Sequence, residues 1–399
     1  MGRASQARTA RRADAGEDDV TSPARAFLQH LPALTSVRCV LALGVVLFHY
    51  QLNILPPDAT GIGILERARL AVDVFFILSG FVLAHVYADQ VGTGRYDHRR
   101  FLIARLARIY PAHIAMLAFM AVVAGAGIVV GENLGAQGYT LGGFLTAGLL
   151  VHAWIPDSVG NEWNGPSWSL SAEWAAYLAF PIFMAVCWRM RTRPVWIIAL
   201  AVALYAILNV AYGFINGELL TQAEIPYGVL RIIPAFLLGI GLHRLGLGLS
   251  PTPLVAKAAA IFSAVVLAVL MQLQANEFVI VGAGACLVLA LALLSKAGAD
   301  GWLAHPALIE AGEASYALYL VHLPLLIVWK NAFGLMNGVD SGYRMELWEA
   351  AVLLVLTIIA AFALHVLWER PARRWVRRRF LDAPPHSPLL PTDPPERFS

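Results

Sequence analysis

Apolar stretches of about 20 residues recur along most of the chain, separated by short polar or arginine-containing segments. A helix needs about 20 residues to cross the roughly 30 Å hydrocarbon core of a bilayer, so each stretch predicts a transmembrane helix. The pattern therefore predicts an all-α fold: a polytopic membrane helix bundle of about ten transmembrane helices. The predicted spans are 33–52, 68–88, 109–130, 167–188, 194–213, 227–245, 254–272, 278–295, 312–334 and 347–368.

One further apolar run, 144–156, is short and ends at Pro156, and the arginines decide whether it crosses. Basic residues favour the cytoplasmic side of a membrane. Arginine clusters precede the first span and follow the second, fourth and last spans. All of these clusters fall on the cytoplasmic side only if 144–156 does not cross. We therefore predict that this run is re-entrant or interfacial, and that the N- and C-termini are both cytoplasmic.

Charge and proline content set the predicted limits of the membrane domain. The first 30 residues are rich in arginine, alanine and aspartate and lack the continuous apolar segment of a signal peptide. We predict a disordered cytoplasmic tail over 1–30, a membrane domain over 31–380 and a disordered proline-rich tail over 381–399. The expected location is the cell (inner) membrane, with the chain crossing the lipid bilayer many times.

The overall composition agrees with a membrane protein and excludes several other classes. Hydrophobic residues make up 59% of the chain and charged residues 14%, against about 45–50% and about 25% in soluble proteins. The net charge is +3 and the basic residues form no polar, foldable module, so nucleic acid is not an expected partner. The three cysteines lie in apolar runs without CxxC spacing, which argues against a disulfide framework or a metal site.

The first span carries an arginine and a histidine, and ionisable groups are costly enough inside a bilayer to indicate function. Arg38 and His49 are eleven residues apart. An α-helix turns about 1100° over that distance, which leaves the two side chains about 20° apart on one face and about 16 Å apart along the axis. A snorkelling arginine and an interfacial histidine are the alternative interpretation. The shared face favours a functional pair, with His49 nearer the outer surface.

Two carboxylates are predicted at a depth similar to that of His49. Asp73 enters the second span from the outer side, and Glu173 lies nearly two turns into the fourth. A carboxylate beside a histidine can hold its tautomer and stabilise the protonated ring during proton transfer. On the cytoplasmic side, Arg105 and Arg108 are three residues apart at the entry of the third span. They act there either as a topology signal or as an anion site.

Together these segments resemble the acyltransferase-3 family of integral membrane O-acyltransferases. The family's arginine and histidine, with ten residues between them, are Arg38 and His49. Four further motifs follow in the family's order. They are Asp-x-Phe-Phe-x-x-Ser-Gly-Phe at 73–81, the arginine-rich entry of the third span at 101–111, Trp-Ser-Leu-x-x-Glu at 168–173, and Ser-Tyr-x-x-Tyr-Leu-x-His at 315–322.

The resemblance implies an enzyme that transfers an acyl group, commonly acetyl, from cytoplasmic acyl-CoA to a hydroxyl of a surface glycan or a glycosylated natural product. Acyl-CoA is then the donor substrate, and no permanently bound cofactor or metal is implied. His49 is the expected base or transient acyl carrier, with Asp73 or Glu173 holding its tautomer. The residues expected to bind CoA are Arg38, Arg105 and Arg108, and those expected to bind substrate are Trp168, Ser169, Tyr316 and His322.

The mode of acceptor modification and one alternative function stay open at this point. Some family members carry an appended extracytoplasmic esterase-like domain, whereas a basic run and a proline-rich tail follow the last span here. We therefore expect the chain to acylate its acceptor itself or to pass the acyl group to a separate extracytoplasmic protein. The alternative function is a proton-coupled transporter, with His49, Asp73, Glu173 and His322 as a proton relay.

Overall fold

The structure is a computed structural model that describes residues 27, 30–56, 58–129, 138–154, 163–339 and 342–381. Within these residues every secondary-structure element is a helix, which confirms the predicted all-α membrane bundle. In chain order, the helices of eight or more residues are α1 (Pro32–Ile54), α2 (Gly63–Gly92), α3 (His98–Val129), α4 (Leu141–Gly148), α5 (Trp168–Leu178), α6 (Phe180–Arg189), α7 (Pro194–Asn216), α8 (Gly228–Leu247), α9 (Pro253–Gln272), α10 (Glu277–Lys296), α11 (Pro306–Asn337) and α12 (Leu347–Phe380).

Nine helices of the described chain are long and apolar enough to cross a membrane, and α5 with α6 form a tenth span if the bent pair is counted as one. The two halves differ in direction by 56°, so the predicted span 167–188 corresponds to a bent pair of helices. The bend follows from Pro181, the second residue of α6, because proline has no N–H to donate to the preceding turn.

The short helix α4 covers residues 144–148 of the apolar run 144–156 that was predicted not to cross. It has eight residues, which span about 12 Å at the usual helical rise and cannot cross a bilayer. The end of that run, from 155 onward, lies outside the described residues. The predicted tails 1–30 and 381–399 also lie almost entirely outside them, and the cytoplasmic position of both termini stays a prediction.

Helix α12 continues well beyond its predicted end. The last predicted span ends at residue 368, whereas the helix runs on to Phe380. A wider π-helical turn over His365–Glu369 precedes Pro371, and the Arg370 N–H bonds to the carbonyl five residues back, at His365. The altered register of this turn lets the helix continue through Pro371 and carries the basic C-terminal run as a helix.

Helices α2 and α8 pack backbone to backbone through two glycines. A Cβ atom added at Gly80 would lie 2.0 Å from the carbonyl oxygen of Phe236, and one at Gly239 would lie 2.0 Å from that of Ile77. Small residues allow such close approach of helices in lipid, where no hydrophobic force drives them together. Gly80 and Gly239 therefore fix α8 against the helix that carries Asp73.

Helices α1 and α11 make a second close contact of this kind. A Cβ atom at Gly312 would lie 2.0 Å from the carbonyl oxygen of Thr35. This contact holds the two helices together near the end of α1 that was predicted to be cytoplasmic. It also aligns the helix that carries Arg38 and His49 with the helix that carries His322.

Candidate active site

A cavity of about 420 Å³ lies between α1, α2, α3, α5 and α11. Its size falls in the usual range for small-molecule sites, which is about 300–1,000 Å³. Most of its wall is apolar, and polar side chains project into it at a few places, as is usual for such sites. The polar and charged lining residues that the sequence analysis singled out are Arg38, Ser79, Arg105, Arg108, Ser169, Glu173 and Tyr316.

The charged groups on the cavity wall are predominantly positive. Among the described residues that line it, Arg38, Arg105 and Arg108 are basic and Glu173 is the single carboxylate. The Glu173 carboxylate accepts a hydrogen bond from the Ser79 hydroxyl. This arrangement favours an anionic ligand, because guanidinium groups bind phosphate and carboxylate oxygens with several donors at once.

Two of these arginines are held against aromatic rings at the start of α3. The guanidinium carbon of Arg105 lies 5.8 Å from the ring centre of Tyr87 and 5.9 Å from that of Phe101. That of Arg108 lies 5.7 Å from the ring of Tyr316. Cation–π contacts of this kind orient a guanidinium group without using its N–H donors, which stay available to a ligand.

His49 and His322 form a hydrogen-bonded pair. His49 Nδ1 lies 3.2 Å from His322 Nε2 and 2.9 Å from the Val45 carbonyl oxygen. His322 Nδ1 lies 2.6 Å from the Tyr319 carbonyl oxygen, which can only accept, so this nitrogen carries a proton. In the neutral ring His322 Nε2 is then an acceptor, and His49 Nδ1 must donate. This network assigns the lone pair of His49 to Nε2.

His49 Nε2 is free to act as a base, since it has no hydrogen-bond partner among the described residues. An unprotonated imidazole nitrogen can take a proton from a hydroxyl and return it later. The sequence analysis placed a carboxylate, Asp73 or Glu173, in the role of tautomer holder. The hydrogen bonds give that role to His322 instead, which is a correction of the prediction.

Tyr319 lies next to both the cavity and the histidine pair. Its ring lines the cavity, and its ring centre lies 5.8 Å from that of His322. Its hydroxyl donates to the Pro166 carbonyl oxygen at 2.9 Å and lies 3.0 Å from the Ser169 hydroxyl. Neither His49 nor His322 lines the cavity in the part of the chain that the structure describes. Tyr319 is therefore a lining residue of the cavity that also contacts the ring of His322.

Asp73 is engaged elsewhere, in a bidentate ion pair with Arg231 of α8. The Asp73 Oδ1 atom lies 2.8 Å from Nε of Arg231, and Oδ2 lies 2.6 Å from Nη2. Both residues are at most 1% exposed. The two donors of the guanidinium occupy both carboxylate oxygens, which explains why Asp73 does not bond to His49. Glu173 does not bond to His49 either, since it lines the cavity together with the arginines.

Trp168 supports this ion pair and does not line the cavity. The Arg231 guanidinium lies 5.2 Å from the centre of its ring, whose edge contacts Phe76. Of the four residues predicted to bind substrate, Ser169 and Tyr316 line the cavity. His322 pairs with His49, and Trp168 packs against Arg231 outside the cavity wall.

Sequence reasoning missed three buried ionisable residues around the site. Arg231 lies within the predicted span 227–245, so the rule that marks intramembrane charges would have found it. His365 and Glu369 are both 0% exposed, and Glu369 forms an ion pair with Arg108 at 2.6 Å. Glu369 was missed because the last span was predicted to end at residue 368.

The profile of the acyltransferase domain family matches residues 31–366, which is more than half of the chain. This chain belongs to the acyltransferase-3 family. It is 30% identical over 381 residues to the acyltransferase MdmB of Streptomyces mycarofaciens, covering 88% of this chain and 93% of that one. No solved structure matches it.

A second relative is longer than this chain. The O-acetyltransferase OatA of Staphylococcus aureus is 22% identical over 372 residues, which cover 87% of this chain and 58% of OatA. Family membership and these relatives establish the chain as a membrane acyltransferase enzyme.

Proposed function

We propose that this enzyme is an acyl-CoA-dependent O-acyltransferase of the cell (inner) membrane. In this proposal the cavity binds the donor, and the acceptor is a hydroxyl of a surface glycan or a glycosylated small molecule. The observation that carries it is the juxtaposition of an arginine-lined cavity with a histidine pair whose His49 Nε2 is free among the described residues.

The charge of the cavity fits the donor. The nucleotide end of CoA carries phosphate groups, and Arg38, Arg105 and Arg108 present three guanidinium groups to the cavity. Hydrogen bonds between ionised partners are roughly twice as strong as neutral ones, so phosphate contacts give a large share of donor affinity. The apolar remainder of the wall suits the pantetheine arm and the acyl group.

The histidine pair suits the transfer step. His49 Nε2 takes the proton of the acceptor hydroxyl while the hydroxyl oxygen attacks the thioester carbonyl carbon. The C–S bond of the tetrahedral intermediate then breaks, and the thiolate of CoA takes the proton from His49. His322 accepts from His49 Nδ1–H and so keeps Nε2 directed at the acceptor.

Two variants of this route differ in their intermediate. In a two-step route His49 Nε2 attacks the thioester itself and carries the acyl group before the acceptor arrives. A separate extracytoplasmic protein can also be the first acceptor and pass the acyl group on. The enzyme is mixed with radiolabelled acetyl-CoA alone and rapidly quenched. A protein-bound label forms only in the two-step route, so this experiment separates that route from the others.

Donor use is tested with the full chain reconstituted in lipid nanodiscs. We expect acetyl-CoA to bind more tightly than acetyl-pantetheine, which has the same thioester and arm but no phosphate. We also expect membranes given acetyl-CoA and cell-envelope glycans to release CoA thiol. Equal binding of the two donors, or solute uptake without any CoA dependence, would contradict the proposal and favour the proton-coupled transporter.

A further inference from the structure

Three side chains connect α12 to the wall of the cavity. His365 Nδ1 lies 2.9 Å from Oε2 of Glu369, and Oε1 of Glu369 lies 2.6 Å from Nη1 of Arg108. A carboxylate only accepts, so His365 Nδ1 and Arg108 Nη1 both donate to Glu369. His365 and Glu369 are 0% exposed, and neither lines the cavity, whereas Arg108 does.

The backbone of α12 brings these groups into place. His365 and Glu369 are the first and last residues of its π-helical turn. Single π-helical turns are rare in α-helices and occur often at functional sites. A carboxylate in the bundle interior is also costly unless it is paired, so its presence calls for a role.

Among the described residues, Glu369 accepts the one side-chain hydrogen bond given by Arg108, which leaves most of its donors free. A guanidinium group has five N–H donors, and the bond to Glu369 engages Nη1. The Tyr316 ring lies 5.7 Å from the guanidinium carbon and restricts its rotation. Arg108 is thus held by an ion pair and a ring, with its remaining N–H groups available to the cavity that it lines.

Glu369 also places a negative charge beside the positive wall of the cavity. Arg38 and Arg108 both line the cavity, and Glu369 is paired with Arg108. Since Glu369 is outside the cavity wall, it can neutralise part of this positive charge without occupying space that the donor needs.

We propose that Glu369 is a positioning residue for donor binding: it fixes the Arg108 guanidinium toward the phosphates of acyl-CoA, and His365 orients Glu369. This inference rests on the proposed use of the cavity as the donor site. It assigns a role in specificity to the junction between the last span and the basic C-terminal helix.

The test measures the Kd of acetyl-CoA and of acetyl-pantetheine for the full chain in nanodiscs. Glu369→Gln should raise the Kd of acetyl-CoA by roughly tenfold, the range of one charged hydrogen bond. The Kd of acetyl-pantetheine should not change, because this donor has no phosphate for Arg108 to bind. A purely structural role of Glu369 would weaken both donors alike.

A double-mutant cycle tests whether Glu369 acts through Arg108. The double variant Arg108→Gln with Glu369→Gln should bind acetyl-CoA no more weakly than Arg108→Gln alone. The matched control is Glu310→Gln, which removes a carboxylate paired with Arg370 of α12 at 2.5 Å but outside the cavity wall. This control should leave both donor affinities unchanged.

Two milder variants guard against misfolding of Glu369→Gln. Glu369→Asp keeps the buried negative charge on a side chain that is one methylene shorter. His365→Leu removes the donor that orients Glu369. Each should raise the Kd of acetyl-CoA in the same direction and by less. If the parent prefers acetyl-CoA while all Glu369 and His365 variants retain that preference in full, the inference is overturned and the donor proposal stands. If the parent shows no preference, the donor proposal fails first.

Discussion

His49 and His322 are 273 residues apart in the chain, yet their imidazole nitrogens Nδ1 and Nε2 lie 3.2 Å apart. The close packing of α1 on α11, with Gly312 against Thr35, makes this contact possible. Because each ring also bonds to a carbonyl oxygen, the tautomer of both rings is fixed by the network. The pair thus has the arrangement that the proposed base, His49, requires.

Loss of His49 should abolish transfer but not donor binding. Glutamine keeps similar size and some hydrogen bonding but cannot exchange a proton, and general bases typically contribute about 10²–10⁴-fold in rate. We therefore expect His49→Gln to bind acetyl-CoA normally and to lose CoA thiol release by that factor. The control is His113→Gln, a buried histidine that bonds to the Ala147 carbonyl outside the cavity. Near-parental transfer by His49→Gln would refute the mechanism.

His322 should act through orientation, so the kind of replacement matters. His322→Leu removes the acceptor of His49 Nδ1–H, and we expect transfer to fall about tenfold, the upper range of one neutral hydrogen bond. His322→Gln retains an acceptor oxygen and should lose less. Steady-state kcat values of the two variants check this order. Equal losses in both, as large as that of His49→Gln, would instead indicate that His322 takes part in proton transfer.

Arg38 and Arg105 should set donor affinity. Arg38→Gln and Arg105→Gln should each raise KM for acetyl-CoA, because a hydrogen bond to a charged group contributes about 1.5–3 kcal/mol. KM for the acceptor should change much less. Arg244→Gln is the control, since Arg244 packs on Trp188 and does not line the cavity. Unchanged donor KM in both test variants would leave these arginines with a topology role alone.

The Asp73–Arg231 pair should matter for stability more than for chemistry. Asp73→Asn leaves Arg231 buried without its counter-ion, which typically costs about 3–5 kcal/mol. We expect a lower Tm in detergent and less folded protein in membranes. Replacing both residues together, as Asp73→Leu with Arg231→Met, should restore much of the loss. A stable Asp73→Asn variant that lacks transfer would return Asp73 to the role at His49 that the sequence suggested.

The orientation of the bundle is testable with reporter fusions. The charge pattern places Arg193 in the cytoplasm and Gly217, at the other end of α7, on the outer side. Fusions at these two positions should therefore report opposite sides of the membrane. Outer-side activity at Arg193 would invert the bundle and place Arg38, Arg105 and Arg108 on the side away from the proposed cytoplasmic acyl-CoA.

The sequence allowed the spans and the cavity arginines to be predicted, because apolar run length and clustered charge are local properties. It did not allow the partners of the buried carboxylates to be predicted. Asp73, Glu173 and His49 share a predicted depth, but depth along the membrane normal does not say which helices are neighbours. Asp73 faces α8, and that contact depends on the Gly80 and Gly239 approach. The end of α12 was mispredicted because a π-helical turn has no clear sequence signal.

The position of Tyr319 has a consequence for the stability of the donor itself. Thioesters are attacked by water as well as by sugars, and an imidazole that activates a hydroxyl also activates water. The Tyr319 hydroxyl is bonded at Pro166 and Ser169, and its ring lies beside His322. If transfer is direct, we expect this ordered ring to limit contact between a bound thioester and His49 while no acceptor is present. On that direct route the enzyme should hydrolyse little acetyl-CoA in the absence of an acceptor.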